Sequence, residues 1–324
     1  MRFKSFINKK NILIFAGVIA VYAIIQVLRN FYILDGYHEI TLAMICINVM
    51  LAAGLNLITG FTGQFSLGHS GFMAIGAYVC GLVLLRMPDH GGFFLGLFLG
   101  ACGATIVGIM IGFPTLRLKG DYLAIATLGM AEIIRVIILN MHITNGAAGL
   151  SGIMRMANWF WLFWFAVITV VVINNFLRSS YGRACISIRE DEIAAEAAGI
   201  NSTLYKIAAF AIGAFFAGLA GGLYASYFYV LKPDLSGFLK SVDMLVIVVS
   251  GGLGSITGSV IAAIVLTVLM AALQSISDIR MIVYALILIL LMRFRPQGLM
   301  GTMEIGDFLP KLKWLKARRE RSES

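Results

Sequence analysis

Apolar runs of roughly twenty residues, set apart by short charged or Gly/Pro/Asn breaks, follow one another along the chain. A hydrocarbon core about 30 Å thick needs about 20 helical residues to cross it, so each run reads as a membrane span. The breaks place spans near 11–28, 40–59, 66–86, 92–113, 122–141, 158–177 and 206–229. The remaining stretch, 241–293, exceeds one span and is divided at Ser250-Gly251-Gly252-Leu253-Gly254-Ser255. There glycine lowers helix propensity by about 1 kcal/mol per residue and permits a tight reversal. The division gives 241–250, 256–273 and 279–293. A segment as short as 241–250 cannot cross alone, which predicts a half-helix shielded by protein. A second break runs from Gly60 to Gly71 through Gln64, Ser66, His69 and Ser70. Its Gly-x-x-Ser spacing at Gly63 and Ser66 recurs at Gly252 and Ser255. Paired glycine-interrupted segments in two halves are the sequence sign of an inverted-repeat transporter. Helix breaks are therefore expected at Gly63, Gly68, Gly71, Gly251, Gly252 and Gly254.

Composition agrees with the pattern. Of 324 residues, 60% are hydrophobic and 13% charged, with a mean hydropathy of +0.92; a soluble domain is about 45–50% apolar and about 25% charged. Disorder, a soluble globule and a secreted disulfide scaffold are excluded as whole-chain readings. The net charge of +9 does not mark a nucleic-acid surface, because Lys and Arg stand in short clusters between apolar runs. With the N-terminus inside, 18 of the 25 lie in segments 1–10, around Arg117 and Lys119, in 178–206, or from Arg293 onward, as the positive-inside rule requires. The expected organisation is a cytoplasmic segment 1–10, an all-α transmembrane region 11–293 with a cytoplasmic loop 178–206, and a basic cytoplasmic tail 294–324. The tail, Lys311 to Arg321 with Trp314, suits anionic lipid headgroups. The run after Arg2, Lys4, Lys9 and Lys10 is too long for a signal peptide and lacks a small-residue cleavage site. Cys46, Cys80, Cys102 and Cys185 have no metal-ligand spacing and read as packing residues; no metal site is expected.

The loop 178–206 is the one sizeable cytoplasmic loop expected. Ser187-Ile188-Arg189-Glu190 has capping-box spacing, Asp191 and Glu192 suit a first helical turn, and Gly199 suits a stop. The expectation is a surface helix of about three turns, with Ile193 and Ala197 on one face and Glu192 and Glu196 on another. It serves either as a capped connector or as a docking knob, since Ala194, Ala195, Ala197 and Ala198 allow close approach.

The stretches Gly182-Arg183-Ala184, Arg189-Glu190-Asp191 and Glu196-Ala197-Ala198-Gly199-Ile200 resemble the coupling-helix motif of ATP-binding-cassette importer permeases. The order of Gln64–Phe72, Leu116–Tyr122, Thr144-Asn145-Gly146 with Gly149-Leu150, Gly251–Ser255 and Arg295-Pro296-Gln297-Gly298-Leu299 is similar to that of the branched-chain amino acid permeases of LivM type. The resemblance covers nearly the whole chain. It implies a fold like that of the vitamin B12 importer (type II) with about ten spans, in a bacterial inner membrane. It implies a homologous second permease subunit, two cytoplasmic ATPases, and an extracytoplasmic binding protein delivering Leu, Ile or Val. Arg189, Glu190, Asp191, Ala194, Ala195, Glu196, Ala197, Ala198 and Gly199 would then couple to the ATPases. Urea and short-amide permeases are similar.

The chain has no G-x-x-x-x-G-K-[ST], and no Gly precedes Lys, so no phosphate loop is expected; ATP and magnesium would bind to partner subunits. A gradient-driven carrier would instead need intramembrane ionisable groups. Glu132 and Arg135, three apart on one helix face, read as a structural ion pair, a path lining or a proton relay. His69 reads as a packing residue or, with Gln64, Ser66 and Ser70, as a lining able to meet the polar ends of a zwitterion. The aromatic run Trp159–Phe165 reads as an interfacial belt. No constellation for membrane-embedded catalysis is found.

Overall fold

The computed structural model describes residues 9–31, 35–116, 118, 120–275 and 298–301 and isolated positions between 282 and 293, with side chains from residue 16 on. The chain divides into two compact units, Met1–Met44 and Ile45–Ser324. In the first, α1 (Lys9–Asn30) is followed by the opening turns of α2 (Gly36–Asn56), and Arg29 Nε donates to Glu39 Oε1 at 2.6 Å.

In the second unit α2 ends in a π turn, Leu57–Phe61. There follow α3 (His69–Arg86), α4 (His90–Thr115), α5 (Asp121–Asn140), α6 (Trp159–Arg178), α7 (Ser180–Glu190), α8 (Glu192–Ala197), α9 (Ser202–Phe228), α10 (Phe238–Gly251) and α11 (Ile256–Ala272). Among the described residues, six helical stretches are long and apolar enough to cross a membrane: α2 with its π turn, α3, α4, α5, α6 and α9. One two-residue antiparallel pair, β1 (Leu150–Ser151) with β2 (Val230–Leu231), joins the segments after α5 and α9.

Within the described residues the expected spans appear as helices with shifted ends. The span expected at 66–86 begins only at His69, because Gly63 adopts φ +74 and residues 62–68 run without helix. The half-helix expected at 241–250 begins at Phe238 and has 14 residues, about 21 Å at the α-helical rise and still short of a full crossing. The expected span 279–293 and the segments 1–10 and 294–324 fall largely outside the described residues.

The core of the second unit is the trio α3, α4 and α9, packed on small residues. A Cβ on Gly76 would lie 2.0 Å from the Gly218 carbonyl oxygen, and one on Gly221 would lie 1.9 Å from that of Met73. These helices touch backbone to backbone, the arrangement lipid favours because burial of apolar side chains gives no advantage there. At one edge of the trio, Phe93 and Phe94 at the start of α4 stack against Trp161 of α6 at 6.2 and 4.9 Å. The aromatic run of α6 thus packs on a neighbouring helix as well as facing outward.

Candidate functional site

Two chain breaks meet at one end of the bundle. Asn56, on the last turn of α2, reaches across to the second break. Its Nδ2 donates to Ser255 O at 2.8 Å and to Ser259 Oγ at 2.7 Å, and its Oδ1 accepts from Gly254 N at 3.0 Å. A Cβ on Gly60 would lie 2.4 Å from Gly254 N, so the two breaks touch through backbone. Gly252 and Gly254, at φ +115 and +88, make the reversal that Ser255 then ends by capping α11 at Gly258 N. The carbonyls left open at the end of α10 are met from far along the chain. Leu299 N donates to Ser250 O at 2.7 Å and Met300 N to Gly251 O at 3.2 Å.

Two of the expected break positions are corrected. Gly71 lies inside α3, where a Cβ would sit 2.9 Å from Ile134 Cδ1 and 3.2 Å from Ala131 Cα; its small size serves packing on α5. Gly251 is the last residue of α10 and packs on the Gly258 carbonyl. Gly68 stands just before α3 with an ordinary negative φ, and Gly63, Gly252 and Gly254 alone of the six take left-handed backbone.

Beside this junction lies the charged loop. Here the expected single helix is corrected to two, and the capping box is not formed. Ser187 lies inside α7 and donates to Ala184 O, while Ser179 caps α7 through Gly182 N. Asp191 breaks the run: it leaves helical backbone at φ −156 and caps α8 by accepting from Ile193 N and Ala194 N at 2.9 and 3.0 Å. α8 is six residues long and closes in a Schellman turn, with Ile200 N donating to Ala195 O and Gly199 N to Glu196 O, Gly199 at φ +86.

The faces of α8 separate as expected, Ile193 and Ala197 on one and Glu192 and Glu196 on the other, except that Ala195 is turned inward. Glu192 accepts from Lys206 Nζ at 2.5 Å, Glu196 accepts from Ser202 Oγ, and Ala195 is buried, so these three hold α8 to the start of α9. Ile193 is 77% exposed, and Ala194, Ala197 and Ala198 are exposed with it. α7 is fixed from below by Cys185, which joins Leu57, Phe61, Leu177 and Ile256 in one buried cluster. Burial pushes the Cys185 thiol up to about 11. Phe61 and Ile256 flank the two breaks, so α7 packs on both. Its last turn carries Arg189, whose Nη1 donates to Gly60 O at 2.8 Å while Nε donates to Glu190 Oε1 at 3.1 Å.

The remaining candidate residues separate into two groups. Gln64, Ser66, His69 and Ser70 are all at most 3% exposed. Ser70 Oγ lies 2.5 Å from Ser241 Oγ and donates to Ser236 O at 3.2 Å, linking α3 to the start of α10. His69 takes another direction: its Nε2 lies 3.3 Å from where a Cβ on Gly54 would be, and its ring meets Phe72 edge-on. Among the described residues, neither amide atom of Gln64 has a hydrogen-bond partner. Arg135 bonds Glu132 at 3.2 Å, as the spacing predicts, and also approaches Asp234 at 3.6 Å. This trio is partly exposed.

Asn56 and Ser259 were not singled out from the sequence, and Gly60 was read only as the edge of the first break. The available signal was Asn56 itself, an amide within an apolar run, which lipid tolerates only with partners. Among the described residues no group of three His, Cys, Asp or Glu can hold a metal.

The sequence matches known proteins over most of its length. The family described as branched-chain amino acid transport system / permease component matches residues 37–292. The high-affinity branched-chain amino acid transport system permease protein LivM of Salmonella typhimurium is 36% identical over 312 residues, covering 86% of this chain and 73% of the relative. LivM of Escherichia coli strain K12 is 37% identical over 295 residues, covering 80% and 68%. LivH of Salmonella typhimurium, a permease protein of the same kind of system, is 26% identical over 289 residues, covering 79% and 92%. No solved structure matches.

Proposed function

The chain belongs to the branched-chain amino acid transport permease components, and from this we infer that it is the membrane-spanning permease subunit of an ATP-driven importer of leucine, isoleucine and valine. The observation that carries the reading is the family match across residues 37–292, which includes both breaks and the charged loop between them. The protein is a multi-pass membrane protein and a transport subunit, with about ten spans in a type II permease arrangement. It sits in a bacterial inner membrane with both termini cytoplasmic, a topology supported by the placement of its Lys and Arg.

The chain binds no nucleotide, and ATP and magnesium bind to two cytoplasmic ATPases. α8 presents Ile193, Ala194, Ala197 and Ala198 to them, a small apolar face on a helix held from behind by Lys206 and Ser202. Similarity to both LivM and LivH supports pairing with a second, homologous permease subunit. A binding protein delivers substrate from the far side. Of the candidate path residues, Glu132 and Arg135, with Asp234 beside them, are partly open to a solute, whereas Gln64, Ser66, His69 and Ser70 are buried within the chain.

Co-purification from membranes tests the assignment. ATPase subunits are expected to accompany the wild-type chain, and Ile193→Glu, which disturbs no internal bond, is expected to lose them while remaining inserted. A wild-type chain that purifies without ATPase subunits would contradict the importer reading. An Ile193→Glu chain that retains them would contradict the docking face.

A further inference from the structure

We propose that Arg189 is a positioning residue that ties the α7–α8 pair to both chain breaks, so that displacement of the pair moves the two breaks as one body. The inference rests on the importer reading, because a partner must move α7–α8.

Three observations carry it. The Arg189 side chain occupies a space that two glycines, Gly254 and Gly63, hold open, and it reaches the carbonyl of a third, Gly60. Nη1 donates to Gly60 O at 2.8 Å; a Cβ on Gly254 would lie 2.7 Å from that same nitrogen, and one on Gly63 would lie 3.0 Å from Arg189 Cγ. Any side chain at Gly254 would push the guanidinium away from Gly60. Secondly, Glu190 takes the other edge of the group through Nε and Nη2, which fixes the plane in a way a lysine ammonium cannot reproduce. Thirdly, the breaks are already joined to each other by Asn56 and by the Gly60–Gly254 contact. A pull on Gly60 is therefore a pull on Gly254, since close-packed backbone does not stretch.

Arg189 is also distinct from the docking face. Its side chain is 28% exposed and points toward the breaks, while Ile193 on α8 faces outward. Contact with the ATPases and transmission to the membrane helices fall to different residues.

The test uses the assembled transporter, with ATPases, second permease and binding protein, in liposomes supplied with leucine. The readout is leucine moved per ATP hydrolysed, measured beside ATPase stoichiometry. Arg189→Ala is expected to keep the wild-type stoichiometry and to lower the ratio about tenfold, the scale on which residues between coupled sites act. Arg189→Lys keeps one donor for Gly60 but loses the Glu190 fork, and is expected to lower it about threefold. An Arg189→Ala ratio equal to wild type would overturn the proposal, as would loss of the ATPases, which would make Arg189 a docking residue. Should the alanine chain fail to accumulate in membranes, the lysine ratio decides: a fall supports the tie and a wild-type ratio overturns it. Failure of the wild-type chain to assemble would contradict the importer reading instead.

Discussion

The α3–α4–α9 trio and the junction of the two breaks are both built on glycine, and the comparison shows two uses of a missing side chain. In the trio the glycines are helical, and each removes a Cβ that would strike a backbone: Gly76 against Gly218, Gly221 against Met73. These contacts are made by backbone against backbone and recur along the helices. At the junction, Gly252 and Gly254 are left-handed, and the backbones of the two breaks meet at Gly60 and Gly254. There, side-chain hydrogen bonds from Asn56 and Arg189 carry the connection. Continuous packing makes the trio a scaffold. A local polar clamp makes the junction a place where two positions can be moved together.

This difference predicts unequal responses to substitution. The largest effect is expected in the trio. Gly221→Ala places a methyl group 1.9 Å from the Met73 carbonyl oxygen, and neither helix can yield without disturbing the third. Destabilisation of about 3 kcal/mol is expected, read as a lowered melting temperature in detergent and loss of inserted protein. A Gly221→Ala chain that melts like wild type would remove the scaffold from the comparison.

Asn56→Ala should cost less, about 2 kcal/mol, because it takes the acceptor from Gly254 N–H and removes the donor that Ser255 C=O and Ser259 Oγ share. More telling is where the loss appears. Hydrogen exchange is expected to accelerate at 252–255 and leave α4 and α9 unchanged; equal acceleration in all three would erase the distinction between clamp and scaffold.

Much of this was legible in the sequence, and the exceptions share a cause. Lengths and hydropathy located the six long apolar helical stretches because a hydrocarbon core sets a length that composition must match. Gly63, Gly252 and Gly254 marked left-handed backbone because glycine is the residue that adopts it without strain. Gly71 and Gly251 were misassigned because a helical glycine chosen for close packing looks identical in one dimension. The capping box at Ser187 and Glu190 had the right spacing, but Asp191 is the better cap, and it divides the loop into two helices. Asn56, Arg189 with Gly60, and the seating of Leu299 on Ser250 join residues far apart along the chain. No local pattern records such pairs. For Ala195, the expected coupling residue that is buried, and Glu196, which is exposed but held by Ser202, the deciding fact was the position of α9, which supplies Ser202 and Lys206.

The central claim is that this chain carries branched-chain amino acids across a membrane on energy released by other subunits. It is tested most directly by uptake of leucine into liposomes holding the assembled transporter, with ATP supplied to the ATPase side and binding protein to the other. The account predicts accumulation that requires both and is unaffected by collapsing proton and sodium gradients. Uptake that survives removal of ATP and stops when a gradient is collapsed would contradict it.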